Sequence, residues 1–360
     1  MENIMYFIKK LNFIHSTLLV LLLFAACAPA TVKEQVELYW PPAPEQPRVK
    51  YLESWQSEDD FGKGSFISIL EDLAGGESKI GFVKPQDVGS DSMGSRFYVT
   101  DTAQGSVVVV DKNSNSFWLI GARGAVEQGK LKVPVGISIY EEGDTIYVSD
   151  SSLDAVNIYS LRGGLKKVIG GGQFESPAGL AINKISKTLY VVDSRKHNVH
   201  VYSHDGKYLS SFGDRGAGDG LLNFPSYIAV DSKGEIYVVD AGNFRIQVFS
   251  PEGKYLRQFG GIGDTPGHFA RPKGIAIDSE DHVYVVDAAY QNIQIFDREG
   301  KLLLFFGGGG AMPGQFSVPA GIAIDREDRI YVVDQINKRV QVFQYLGEKW
   351  KQRQAAQPAK

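Results

Sequence analysis

From Phe82 onward the chain alternates short apolar runs with polar turns, and the same alternation returns six times. Each unit opens with a large apolar residue three positions before a proline: Phe82/Pro85, Leu131/Pro134, Phe174/Pro177, Leu222/Pro225, Phe269/Pro272 and Phe316/Pro319. A short apolar strand follows, as in Gly274-Ile-Ala-Ile-Asp278, then a polar turn and a strand that ends in aspartate. A third strand, such as Arg245 to Phe249, and a fourth, such as Gly253 to Phe259, complete the unit. The aspartates (Asp101, Asp150, Asp193, Asp240, Asp287 and Asp334) recur at intervals of 49, 43, 47, 47 and 47 residues. Four strands per unit with no helical periodicity between them exclude a helical solenoid. They predict an all-β fold, a six-bladed β-propeller of four-stranded antiparallel blades, with the six repeats at about 81–346.

The sixth unit ends after its third strand, which would leave a row of open backbone donors and acceptors. Val49-Lys50-Tyr51-Leu52-Glu53-Ser54-Trp55 reads like the fourth strands Gly206 to Phe212 and Gly253 to Phe259. It is expected to be a closing strand (48–56) antiparallel to Val340–Phe343, so that the propeller spans 48–346. Between them lies a non-repeat insert, 57–80. There Phe66, Ile69, Leu70 and Leu73 fall at helical spacing and Gly75-Gly76 supplies a stop, which predicts a short helix. Residues 347–360 are polar and are expected to form a loose tail.

The N-terminus carries Lys9 and Lys10, an apolar run from Thr17 to Phe24, and the small residues Ala25 and Ala26. That order is the grammar of a signal peptide, residues 1–26, and the run is short for a membrane span. Phe24-Ala25-Ala26-Cys27 resembles the lipobox of bacterial lipoproteins. The resemblance implies a lipidated Cys27 as the mature N-terminus, hence an exported protein anchored to a bacterial membrane, at the outer membrane or the periplasmic side. Residues 27–47, with Pro29, Pro41, Pro42, Pro44 and Pro47, form a proline-rich tether. Cys27 is the single cysteine, so no internal disulfide is available and a large core must carry stability. A formal net charge of −4 supplies no overall basic field, and nucleic acid is not expected as a partner. A monomer is expected.

Pro-x-Gly-Ile-Ala-Ile-Asp, Tyr-Val-Val-Asp and Arg-Val-Gln-Val-Phe together resemble the NHL repeat over about residues 82–346. In propellers of this kind the loops before the innermost strand and those after the second strand share one face. The resemblance therefore implies a binding face built from Lys84, Gln86, Arg195, Lys196, His197, Asn243, Arg245, Arg271, Lys273, Tyr290, Gln291, Asn337, Lys338 and Arg339. The bland alternative is a set of solvated loops. The six aspartates read as structural, since a carboxylate opening a tight loop accepts backbone N–H bonds. The prolines and the glycines two positions after them read as scaffold. His200 takes the place of Gln247, Gln294 and Gln341 and reads as a strand-surface position.

No Gly-x-Ser-x-Gly, zinc or Walker motif is present. The favoured function is a non-catalytic binding or scaffold module in the cell envelope, with a protein or glycan partner, no catalytic residues and no cofactor. The alternative is a lyase or lactonase-like hydrolase with a divalent metal in the central channel, where Gln86 and Asp87 set one unit apart from the others.

Overall fold

The computed structural model describes residues 37–61, 80–122 and 129–356. The expected signal peptide, Cys27, the tether as far as Val36, the helix expected between Phe66 and Leu73, and the last four residues lie outside them.

The strands, numbered in chain order, form six antiparallel sheets. The first strand of each repeat is innermost: β3 (Pro85–Ser90), β7 (Pro134–Tyr140), β11 (Pro177–Asn183), β15 (Ile228–Val230), β19 (Pro272–Ile277) and β23 (Pro319–Ile324). Each packs on the next, and β23 packs on β3, so the sheets close into a ring. Five sheets hold four strands taken in chain order. The molecule is a six-bladed β-propeller.

Blade six supplies β23, β24 (Arg329–Asp334) and β25 (Arg339–Tyr345); its outer strand is β2 (Val49–Trp55) from the other end of the chain. Val49 pairs with Tyr345, Tyr51 with Phe343 and Trp55 with Val340, with a bulge between Tyr51 and Glu53. This is the expected closing strand. Trp55 is 2 % exposed and stacks on Phe97 of blade one at 4.4 Å, sealing the seam between first and last blades. Burial of such an aromatic contributes several kcal/mol, on the order of 3–5 by truncation.

Two expectations about the flanks change. The end of the proline-rich stretch is not free tether: β1 (Tyr39–Trp40) adds a fifth strand by pairing with Lys50 and Val49. Trp40 lies 5.9 Å from Phe306 and 5.8 Å from Phe343, so an apolar anchor overrides the extended preference of the prolines around it. The tail is not loose either. Residues 348–356 form a helix, α1 (Glu348–Ala356). Arg353 meets the buried Asp328 at 2.5 Å, and the Lys349 N–H donates to Glu280.

Seams between blades repeat too. Tyr98, Tyr147 and Tyr190 each send a hydroxyl to a carbonyl of the following blade, at Leu161, His204 and Pro251. On the face of the turns that follow the innermost strands, the Ser92, Ser232 and Ser279 N–H groups donate to Glu141, Asp281 and Asp328 of the following blade.

Candidate functional site

The six aspartates are fully buried, and each ties its own loop to the start of the innermost strand. Asp101 accepts the Val83 and Lys84 N–H groups with one carboxylate edge and those of Ala103 and Gln104 with Oδ1. Asp287 does the same with Ala270, Arg271, Ala289 and Tyr290. These bonds bring the two loop sets onto one face, as the resemblance implied, and they account for the recurrence of the acid.

Several residues of the expected binding face are used by the fold itself. Arg245 is buried and donates to Asp240 and to the carbonyls of Gly218 and Leu221. Arg339 is likewise buried, donating to Asp334, Ala311, Met312 and Gln315. Asn243 and Asn337 bridge the same aspartates to Gly216 and Gly310. Lys196 holds the Gln173 carbonyl, His197 is buried and accepts the Phe224 N–H, and the Tyr290 hydroxyl donates to Gly263. A cation near a loop rich in inward carbonyls is captured by them before any ligand arrives. His200 corrects in the same direction: it is 7 % exposed against Phe174, not on the strand surface. Neither ring nitrogen makes a hydrogen bond, Nε2 lies 4.0 Å from the Asp193 carboxylate, and burial lowers the pKa.

Lys84, Arg195, Arg271 and Lys338 remain exposed, and Gln86, Lys273 and Gln291 are half-buried. Lys84, Arg271 and Lys273 draw together at the mouth of the central channel. Burial, then the like charges of Arg271 and Lys84, hold the Lys273 amine down to about 8. Among the described residues no acid pairs with these three.

The channel itself is spanned. In the other four units Pro-x-Gly places glycine against the next blade. A Cβ on Gly136 would sit 2.3 Å from the Ala178 carbonyl oxygen, and one on Gly179 2.6 Å from the Tyr227 Cα. Units one and four, opposite each other, carry Asp87 and Tyr227 instead. Tyr227 crosses the axis: the Gln86 amide donates to its hydroxyl at 2.9 Å, and the Gln335 amide donates to Gln86 at 2.7 Å. Asp87 is buried and accepts the Val88 and Ile137 N–H groups. Gln86 and Asp87 stand apart in the sequence itself, whereas Tyr227 is signalled there only by the break in Pro-x-Gly at Pro225-Ser226-Tyr227.

Burial raises the Asp87 carboxyl to about 8, and burial, with Asp87 nearby, pushes the Tyr227 hydroxyl far above the ordinary tyrosine range. In the unfolded chain Asp87 ionises near 4, whereas in the fold it keeps its proton to about 8. The native state therefore loses stability as pH rises across that window, and the loss levels off above it. Asp87→Asn carries no such loss. Thermal melts of variant and parent are expected to diverge in the variant's favour from pH 4 to 8; a difference in Tm that is flat with pH contradicts this assignment.

The comparisons with known proteins agree on fold. A family model described as a 6-bladed beta-propeller matches residues 180–246, 221–293 and 279–355. Among solved structures, a streptogramin B lyase is 13% identical, with 73% of this chain and 93% of that chain covered and a TM-score of 0.56. Virginiamycin B lyase from Staphylococcus aureus is 14% identical, with 73% and 95% covered and a TM-score of 0.54. An auxiliary nutrient binding protein from Bacteroides thetaiotaomicron is 15% identical, with 74% and 70% covered and a TM-score of 0.59. No curated protein matches. At these identities the likeness is one of architecture, and neighbours that include lyases and a nutrient-binding protein assign no activity.

Proposed function

We propose that this propeller is a non-catalytic binding module, held at a bacterial envelope through Cys27, that takes an acidic group of a protein or glycan partner at the channel mouth. One observation carries the reading. Lys84, Arg271 and Lys273 come close enough for their like charges to act on one another, with no acid partner among the described residues. Like charges gathered at a cost to the fold are a signature of a binding site. Below about pH 8 the Lys273 amine is charged in the fold at that cost, and a bound carboxylate or sulfate offsets it. The spanned throat makes this a shallow site that takes the end or edge of a ligand.

The metal-dependent lyase or hydrolase reading draws on Gln86, Asp87 and Tyr227 meeting at the axis. Two features weigh against that reading. Asp87 is tied to two backbone N–H groups, and among the described residues no three His, Cys, Asp or Glu side chains cluster to hold an ion.

Interferometry against immobilised polyglutamate and an acidic polysaccharide tests the mouth. The Lys273→Met, Arg271→Ala double variant is expected to bind at least about tenfold more weakly than the parent, a loss of ~1.4 kcal/mol. It is also expected to melt higher, since the half-buried Lys273 amine and the like charge of Arg271 beside it have been removed. Unchanged affinity for both probes sinks the proposal. Affinity capture from native envelopes, with the double variant as control, then identifies the partner.

A further inference from the structure

Blades four, five and six are introduced by equivalent loops, marked by the bridges Arg215–Leu222, Ile262–Phe269 and Gly309–Phe316. In two of the three an arginine fills the loop. The Arg245 guanidinium meets Gly218 and Leu221 in one, and Arg339 meets Ala311, Met312 and Gln315 in the other. Blade five has Asn292 at this position, whose side chain is too short to reach across. A cleft of about 250 Å³ stands where the arginine is missing, lined by Asp264, Thr265, Tyr290, Asn292 and Phe305 among others.

The neighbours have changed in step. Asp264 occupies the place of Ala217 and Ala311, adding an exposed carboxylate with no cation partner among the described residues. Phe305 stands where Gln258 accepts from Arg245, which puts a half-exposed aromatic ring on the wall. The Asn292 Oδ1 is buried without a hydrogen-bond partner. The loop carbonyls keep the hydrogen-bond pattern of the sister blades: the His268 N–H donates to Thr265 as Leu221 does to Gly218 and Gln315 to Met312, and the Gln294 amide donates to the His268 carbonyl as Gln247 does to Leu221 and Gln341 to Gln315. The cleft thus keeps the acceptors that bind a guanidinium in the sister blades, lacks the guanidinium, and gains a negative charge and a ring face.

We propose that the blade-five cleft is a receptor for the side chain of an arginine supplied by a partner protein or peptide. The loop carbonyls and the Asn292 Oδ1 accept its N–H groups, Asp264 supplies the countercharge, and Phe305 stacks on the guanidinium plane. The volume lies below the ~300–1,000 Å³ of sites that enclose a whole small ligand, which suits one side chain of a larger partner. This cation-accepting cleft is distinct from the anion-accepting mouth and does not depend on it.

Calorimetric titration of the full chain with Nα-acetylarginine amide, and with its citrulline and lysine counterparts, tests the assignment. The arginine compound is expected to bind at least about tenfold tighter than the uncharged citrulline compound, which has nearly the same shape. Asn292→Arg places the chain's own guanidinium in the cleft, as in blades four and six. It is expected to lose binding by at least about tenfold and to melt higher than the parent. Asp264→Ala and Phe305→Gln should each weaken binding severalfold, and they decide the matter should Asn292→Arg fail to fold. The proposal is overturned if the arginine and citrulline compounds bind alike, if neither binds at about 10 mM, or if all three variants retain the parent's affinity.

Discussion

A chain lacking residues 37–56 is expected to lose its cooperative thermal transition. Those residues supply β1 and β2, the outer strands of blade six, and they bury Val49, Tyr51 and Trp55. Without them the backbone edge of β25 opens to solvent, and the Trp55 contact between blades one and six disappears. A ring cannot lose a seam locally, because every blade leans on two neighbours. Calorimetry together with near-ultraviolet circular dichroism is expected to show no sharp melt and no fixed aromatic signal. A synthetic peptide of residues 37–56, added in trans, is expected to restore part of both. The milder Trp55→Ala should keep the fold and cost about 3–5 kcal/mol. A truncated protein melting within a few degrees of the parent would show that the seam contributes little.

The second large effect concerns Arg339. Its guanidinium satisfies the buried Asp334 carboxylate and three loop carbonyls. Arg339→Ala leaves that acid and those carbonyls without their partner, at about 3–5 kcal/mol, a fall in Tm on the order of 10 °C. Binding at the channel mouth should be unchanged below the new melting point. Had Arg339 belonged to a ligand-contacting surface, the pattern would reverse, with affinity lost and Tm preserved. Parallel melts and titrations separate the two.

The fold was legible because its cause is repetitive. Six prolines, six buried aspartates and six Tyr-Val-Val-Asp-like strands do one job each, six times over, and period is visible in a single sequence. The closing strand was legible for the same reason, since Val49–Trp55 carries the pattern of the fourth strands. What the sequence concealed depends on contacts between distant residues. Nothing local tells that Arg245 and Arg339 turn inward, because the carbonyls that capture them lie in a preceding loop. Trp40 pins the end of the tether through Phe306 and Phe343, which lie in the last two blades. The α1 helix is held because Asp328 and Glu280 wait for Arg353 and Lys349, although its own composition is mostly polar.

At the candidate sites the same logic runs backwards. The repeat is the background, and departures from it are the signal. Tyr227 in place of a glycine, Asn292 in place of an arginine and Asp264 in place of an alanine are each unremarkable alone. Each acquires meaning once the structure shows what the sister blades keep at that point.

The seam also governs how this protein is made. Its sealing strand is among the first of the propeller to be synthesised, and its partner, ending at Tyr345, is the last. The growing chain must carry an unpaired edge through the production of all the intervening blades. Products that stop short of β25 have no smaller ring to settle into. They should be removed by proteases rather than accumulate, so that quality control amounts to a check on whether translation reached β25.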